Sequence, residues 1–168
     1  MPTKKHSSLS NIDWKEWEPT ESAVISYILR GDEVLLIQKK TGLGAGKVNA
    51  PGGHIEKGET ALQAAVRETK EEVGLDTENL QYAGELYFQF KDGLRLKGTV
   101  FLTESFEGNL IETDEADPFW CKISEIPWDK MWEDDIHWLP RALKGEHFRG
   151  YFIFDGDDML DSKISFYD

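Results

Sequence analysis

Runs of apolar and β-branched residues recur along the chain, each about as long as a β-strand and each bounded by turn residues such as Gly, Asp and Asn. They predict one hairpin of strands 22–29 and 34–39, a second strand pair of 80–90 and 94–106, a strand at 119–123, and a final hairpin over 150–166. Two segments, 61–73 and 134–144, instead repeat their apolar positions with helical spacing, and Pro140 limits or kinks the second one. Many strands with two helices indicate an α+β fold rather than a regular alternation of strands and helices.

The segment 61–73 has clear helix start and stop signals. Thr60 and Gln63 have the spacing of a capping box, and Gly74 is placed to take the left-handed conformation that ends a helix. Helical periodicity puts an apolar set on one face, which we expect to pack on a sheet: Leu62, Ala65, Val66, Thr69 and Val73. A second face carries Glu68, Glu71 and Glu72. Such a face is most often merely solvated, but like charges this close together also favour a bound cation.

Charge and composition restrict the classes of partner. A net charge of −13 over 168 residues argues against a surface that binds duplex nucleic acid, and a polyanionic ligand would need help from cations. We interpret 1–20 as an amino-terminal extension, a partly disordered tail that then packs its tryptophans, and 21–168 as one domain. Only one cysteine and no membrane-spanning apolar run are present, so we expect a cytoplasmic protein without membrane partners. We expect a monomer, with a dimer as the alternative.

The acidic helix face belongs to a longer spaced pattern. In sequence order it is Gly53, five residues, Glu59, seven residues, Arg67-Glu68, two residues, Glu71-Glu72, one residue, Gly74 and Leu75. This spacing resembles the Nudix box, apart from Thr69, which stands where an aliphatic residue is usual. The resemblance implies an α/β/α sandwich around a mixed β-sheet, and an enzyme that hydrolyses a phosphoanhydride.

Clustered glutamates suit hard cations such as Mg²⁺ or Mn²⁺, which neutralise phosphate oxygens and activate a water molecule. The resemblance implies that the metal site comprises Gly52, Glu68, Glu71, Glu72 and Glu115. It gives catalytic roles to these four glutamates and to Arg67, which an ion pair with Glu59 would hold. Either Glu72 or Glu115 could be the base. The alternatives are an ordinary loop carboxylate for Glu115 and a surface salt bridge for Arg67.

The resemblance extends beyond the box to the branch of the family that hydrolyses oxidised purine nucleoside triphosphates. It rests on the segments 39–49, 113–118, 131–135 and 147–152. The substrate-binding residues that it implies are Asn49, Asp134 and Asp135 at the edge of the base, Trp132 and Phe88 around the base, Lys39 near the sugar and phosphates, and Leu43. Two adjacent carboxyls resist joint ionisation, so one can donate a hydrogen bond while the other accepts. Oxidation at C8 turns the purine N7 from an acceptor into a donor, which such a pair can detect.

Several alternatives stay open at this point. Leu43 and Pro51 stand where that branch commonly has phenylalanines, and Val48 replaces a tryptophan, so the choice between 8-oxo-guanine and 2-hydroxy-adenine is open. An enzyme of the same fold could act on a dinucleotide polyphosphate, a nucleotide sugar or an RNA 5′ end. A nucleotide sensor with little turnover is a third possibility, although it would not need the complete glutamate set. Without the flanking match, Trp132 would be interpreted as core packing.

Overall fold

A mixed β-sheet forms the centre of the protein in the computed structural model, which describes residues 8–167. The strands are β1 (Glu21–Arg30), β2 (Glu33–Lys39), β3 (Val48–Asn49), β4 (Gly52–His54), β5 (Asp76–Glu78), β6 (Gln81–Phe90), β7 (Arg95–Thr103), β8 (Ser105–Glu107), β9 (Ala116–Lys122), β10 (His147–Asp155) and β11 (Asp158–Tyr167), and the helices are α1 (Ala61–Val73) and α2 (Asp135–Ala142). The sheet order is β11-β10-β6-β7-β1-β2-β3, with β4 also on β1 and β9 also on β2. β1 and β7 are parallel, as are β6 and β10, and their other neighbours are antiparallel. The predicted α+β class and mixed sheet are confirmed.

The two helices of the described chain pack on opposite faces of the sheet. Alternate residues of a strand point to opposite faces, and along β1 Val24 and Ile28 join apolar clusters completed by residues of α1. Tyr27 points the other way and packs edge-on against Trp138 of α2, with 6.0 Å between ring centroids. The result is the expected sandwich. Within residues 8–167 no helix has the length and apolar character needed to cross a membrane.

α1 begins and ends where its sequence predicts. Thr60 Oγ1 accepts a hydrogen bond from the Gln63 amide at 3.1 Å, Gln63 Oε1 accepts one from the Thr60 amide at 2.9 Å, and Gly74 has a φ of 85°. The predicted packing face is partly wrong, because Leu62 and Val66 are exposed. These two side chains lie outside the contact with the sheet.

The buried face of α1 is rotated towards its glutamates. Its buried residues are Ala64, Ala65, Thr69, Glu72 and Val73. The rotation places the helix directly on the backbone of β4, where a Cβ atom added to Gly53 would lie 2.3 Å from the Glu68 carboxyl carbon. Small alanines permit this close approach, and only glycine fits at the contact. The helix therefore docks with two of its carboxylates against the sheet.

The first predicted hairpin is much shorter than the strands that form it. β1 and β2 pair only at Leu29 with Val34 and at Arg30 with Glu33. Beyond that point β1 continues beside β4 and β7, whereas β2 continues beside β3 and β9. The divergence opens the sheet between these strands. The hairpins β6–β7 and β10–β11 pair along most of their length, as predicted.

Candidate active site

A cleft of about 720 Å³ opens on the face of the sheet that also carries α2. The candidate residues that line it are Lys39, Leu43, Asn49, Gly52, Glu68, Phe88, Glu115, Trp132, Asp134 and Asp135. Such a cleft is large enough for a nucleotide-sized ligand. The tertiary structure thus brings residues from five separate parts of the sequence to one place.

Three carboxylates gather beside the cleft. Glu68, Glu72 and Glu115 each offer an oxygen, and these oxygens all lie within 4.8 Å of one another. Glu72 is buried, with Oε2 accepting a long hydrogen bond of 3.4 Å from the Gly52 amide and Oε1 lacking a partner among the described residues. Burial raises the pKa of Glu72 to about 7; the attraction of Lys39 opposes this shift, and the other two carboxylates add to it.

This carboxylate cluster fits a divalent cation. Buried charges are normally paired or bound to a metal, and Glu72 Oε1 has no hydrogen-bond partner within residues 8–167. Carboxylate oxygens are the ligands that hard divalent ions prefer. The predicted Glu71 lies apart from the cluster: its side chain is 59% exposed, and its Oε2 accepts a hydrogen bond from Arg67 at 3.1 Å. The structure therefore assembles three of the four predicted glutamates.

Arg67 links the box residues, as its sequence context predicts. Its Nε and Nη2 donate to the two oxygens of Glu59 at 2.7 and 2.9 Å, which is the bidentate geometry of a strong ion pair. Its Nη1 donates to Glu68 Oε1 at 2.7 Å, and Nη2 also donates to the His54 carbonyl at 3.0 Å. The hydrogen bonds from Arg67 lower the pKa of Glu59 to about 2. Arg67 thus fixes one carboxylate of the cluster against the turn before α1.

Asp134 and Asp135 form a buried pair at the start of α2. Their exposed fractions are 2% and 4%. Asp134 Oδ2 accepts a hydrogen bond of 2.8 Å from the Trp138 indole, whereas Asp135 Oδ2 has no partner among the described residues. Burial raises the pKa of both carboxyls, and the charge of Asp134 raises that of Asp135 further. Asp135 consequently keeps its proton more strongly and can donate into the cleft.

Aromatic rings enclose the cleft near this pair. Trp132 packs edge-on against Phe154, with 5.5 Å between centroids, and a Cβ atom added to Gly44 would lie 2.9 Å from the indole nitrogen. The Gly-rich loop, which is the segment 40–47 between β2 and β3, therefore fits tightly against Trp132, and Gly44 has a φ of 84°. Phe88 stacks on Phe152 at 5.2 Å. These contacts fix the orientation of Trp132 and Phe88 in the wall of the cleft.

Comparison with known proteins agrees with this geometry. The NUDIX domain family matches residues 19–142. The chain belongs to the Nudix family. It is 42% identical over 134 residues to the oxidized purine nucleoside triphosphate hydrolase of Danio rerio, covering 79% of this chain and 86% of that protein. It is 35% identical to the protein of the same name from Mus musculus, with the same coverage of both chains.

Solved structures confirm the Nudix fold. A MutT protein from Bacillus halodurans matches with a TM-score of 0.77 at 24% identity, covering 86% of this chain and 97% of that chain. At this level of identity the likeness shows the fold alone. Enzymes of the Nudix family generally need a divalent metal ion, which agrees with the carboxylate cluster.

The remaining candidate residues occupy the rim of this Nudix cleft. Asn49 Oδ1 accepts a hydrogen bond from the Ala50 amide at 2.9 Å, which leaves the side-chain NH₂ group available to donate. Leu43 is 47% exposed on the Gly-rich loop, and Lys39 lies close enough to Glu72 to affect its pKa.

Sequence reasoning missed most of the apolar wall of the cleft. Leu86, Phe90, Leu94 and Leu96 line it beside Phe88. The alternation along β6 puts Leu86, Phe88 and Phe90 on one face, so the first and last of these could have been found from the pattern. The positions of the residues from β7 depend on the register of the β6–β7 hairpin, which the pattern does not fix.

Proposed function

We propose that the protein hydrolyses an oxidised purine nucleoside triphosphate, such as 8-oxo-dGTP or 2-hydroxy-dATP, to the nucleoside monophosphate and pyrophosphate, using Mg²⁺ or Mn²⁺. One observation carries the proposal: a single cleft holds both a cluster of carboxylates and a buried carboxyl pair with raised pKa values. The carboxylate cluster suits a metal-bound triphosphate, and the buried carboxyl pair suits the edge of a base. The names of the related hydrolases support the same class of substrate.

The carboxylates Glu68, Glu72 and Glu115 would hold the divalent ion, with Gly52 next to Glu72, whereas Glu71 lies apart from them. When bound, such an ion neutralises phosphate oxygens and lowers the pKa of a water molecule. Either Glu72 or Glu115 is then the base that takes the proton from the attacking water.

Two cationic side chains have different roles in this proposal. Arg67 orients the cluster through its hydrogen bond to Glu68, so it acts on the carboxylates rather than on the substrate. The Lys39 ammonium lines the cleft, where it is free to pair with phosphate oxygens.

The buried aspartates would recognise the oxidised base. A protonated Asp135 donates a hydrogen bond and an ionised Asp134 accepts one, so together they match a base edge that offers one acceptor and one donor. Oxidation at C8 gives the purine such an edge by adding a proton at N7. The NH₂ group of Asn49 adds a donor, and Trp132 and Phe88 pack around the ring.

The test compares kcat/KM with Mg²⁺ for 8-oxo-dGTP, 2-hydroxy-dATP, dGTP, dATP and diadenosine tetraphosphate. We expect a preference of about tenfold or more for an oxidised purine, which corresponds to about 1.4 kcal/mol of transition-state discrimination. Equal activity on all five nucleotides, or a preference for the dinucleotide, would be consistent with Nudix hydrolysis but would contradict the assignment of the residues that recognise an oxidised base.

Two variants separate base recognition from hydrolysis. Asn49→Ala and Asp134→Asn change groups that face the base, so they should alter the ranking of the five nucleotides. Their half-maximal Mg²⁺ concentration should stay the same, because neither residue belongs to the carboxylate cluster. An equal loss for every nucleotide would count against the assignment.

The single cysteine keeps the cytoplasm as the expected compartment, and a monomer stays the expected oligomeric state.

A further inference from the structure

The amino-terminal segment 8–20, here called the strap, lies across the face of the sheet opposite the cleft. Most of the strap precedes the matched Nudix region, which begins at residue 19. Trp14 packs on Tyr151 with 4.8 Å between ring centroids, and Trp17 packs on Tyr87 at 5.8 Å. The predicted packing of these tryptophans is confirmed, whereas the part of the predicted tail that precedes residue 8 lies outside the described residues.

The strap bonds to the strands directly behind the apolar wall of the cleft. Trp17 Nε1 donates to Gln89 Oε1 at 2.9 Å, and Gln89 is buried at 4% exposure. The Thr20 amide donates a hydrogen bond to the Arg95 carbonyl at 2.8 Å, and the Arg95 amide donates one to Thr20 Oγ1 at 3.0 Å. Gln89 and Arg95 are themselves paired across β6 and β7.

Strand alternation connects these contacts to the substrate side of the sheet. Residues next to each other in a strand point to opposite faces, so the immediate neighbours of Gln89 and Arg95 point into the cleft. Those neighbours are Phe88, Phe90, Leu94 and Leu96, all of which line it. A displacement of this end of the β6–β7 hairpin therefore moves four cleft residues at once.

We propose that the strap positions the apolar wall of the cleft, and that Trp17 and Gln89 are positioning residues for the substrate base through their mutual hydrogen bond. This inference rests on the proposed function, since it assumes that the base lies against that wall. It assigns no contact with the substrate to the strap. The carboxylate cluster is on the other side of β1 from β6, so metal binding should be independent of the strap.

The test uses the full chain and the substitution Trp17→Phe, which keeps an aromatic ring and removes the N–H donor. We expect KM for the preferred purine triphosphate to rise about three- to tenfold, with kcat and the half-maximal Mg²⁺ concentration each within twofold of the wild type. Trp14→Phe is the matched control, because the Trp14 indole N–H has no acceptor within residues 8–167; its KM should not change.

A double-mutant cycle isolates the hydrogen bond. Gln89→Met removes the acceptor, and the Phe90 carbonyl that Gln89 also contacts keeps its hydrogen bond from the Gly93 amide at 3.0 Å. Both single variants break the same bond, so the double variant should raise KM no further than the larger single effect. Additive effects on KM would overturn the proposal.

Two other results would also overturn it: an unchanged KM in Trp17→Phe, or an equal rise in KM and in the Mg²⁺ requirement, which would indicate general loosening of the fold. The wild-type protein provides the separate test of the proposed function. If the wild type hydrolyses none of the purine triphosphates, the proposed function fails; if it hydrolyses them and Trp17→Phe behaves identically, only the strap proposal fails.

Discussion

Replacing Asp135 with asparagine should make the protein more stable at neutral and alkaline pH, because it removes a buried carboxyl that resists ionisation. Burial and the adjacent Asp134 raise the folded-state pKa of Asp135 above its unfolded value of about 3.9. The folded state then keeps a proton that the unfolded state loses. Stability from this group is fully present below about pH 4 and is lost as pH rises towards the folded-state pKa.

The size of this change in the free energy of unfolding follows from the titration of one proton. For each pH unit inside that window, the free energy of unfolding falls by up to about 1.4 kcal/mol. Between pH 5 and pH 7 the wild type should therefore lose up to about 2.7 kcal/mol through Asp135, and Asp135→Asn should not lose this amount. The amide itself costs about 1 kcal/mol if its hydrogen-bonding groups stay unpaired, so the variant should gain its advantage only towards higher pH.

The assay is urea unfolding followed by tryptophan fluorescence at pH 5, 6, 7 and 8, with EDTA present so that metal binding does not contribute. Glu72 also has a raised pKa and adds its own slope, but it does so equally in both proteins. Asp129→Asn, which changes an exposed aspartate, is the control and should follow the wild type. Parallel curves for the wild type and Asp135→Asn would refute the inference that this carboxyl is protonated in the folded state.

Three further predictions concern the Nudix site and the loop beside it. Glu72→Gln should lower kcat by more than about 100-fold and Glu71→Gln should lower it by less, because only Glu72 belongs to the carboxylate cluster. In both variants the affinity for the nucleoside monophosphate, measured by calorimetry, should change little. Arg67→Lys should lower activity about 10–100-fold in steady-state kinetics, since a lysine cannot reproduce the bidentate pair, and near-normal activity would show that orientation is unimportant. Gly44→Ala and Gly46→Ala should each lower the free energy of unfolding by about 1–2 kcal/mol, because both positions have a positive φ. Only Gly44→Ala should also raise KM, because only a Cβ atom at position 44 contacts Trp132.

Local signals explain the parts of the protein that could be predicted from sequence. The capping box and the terminal glycine of α1 act through neighbouring residues, so both helix ends are where the pattern puts them. The ion pair of Arg67 with Glu59 was implied by the resemblance to the Nudix box, and it joins α1 to the turn just before it. The two later hairpins form because each pairs strands that are adjacent in sequence.

The face of α1 that packs on the sheet was not decided by its own sequence. Leu62 and Val66 have the right spacing for a buried face, yet they are exposed because Gly53 lets the helix dock closer to its glutamates. The cost of burying a carboxylate such as Glu72 is not visible in a helical pattern. It depends on which backbone the helix meets.

The sequence by itself determined the two ends of α1, the later hairpins and the family, because caps, turn residues and the spacing of the box act over short distances. The tertiary structure alone decided which groups share the cleft, because the meeting of Glu115 with α1 depends on contacts and strand pairing between distant segments. It also decided the raised pKa of Asp135, since the pKa of a carboxyl follows its burial and its neighbours rather than its position in the chain.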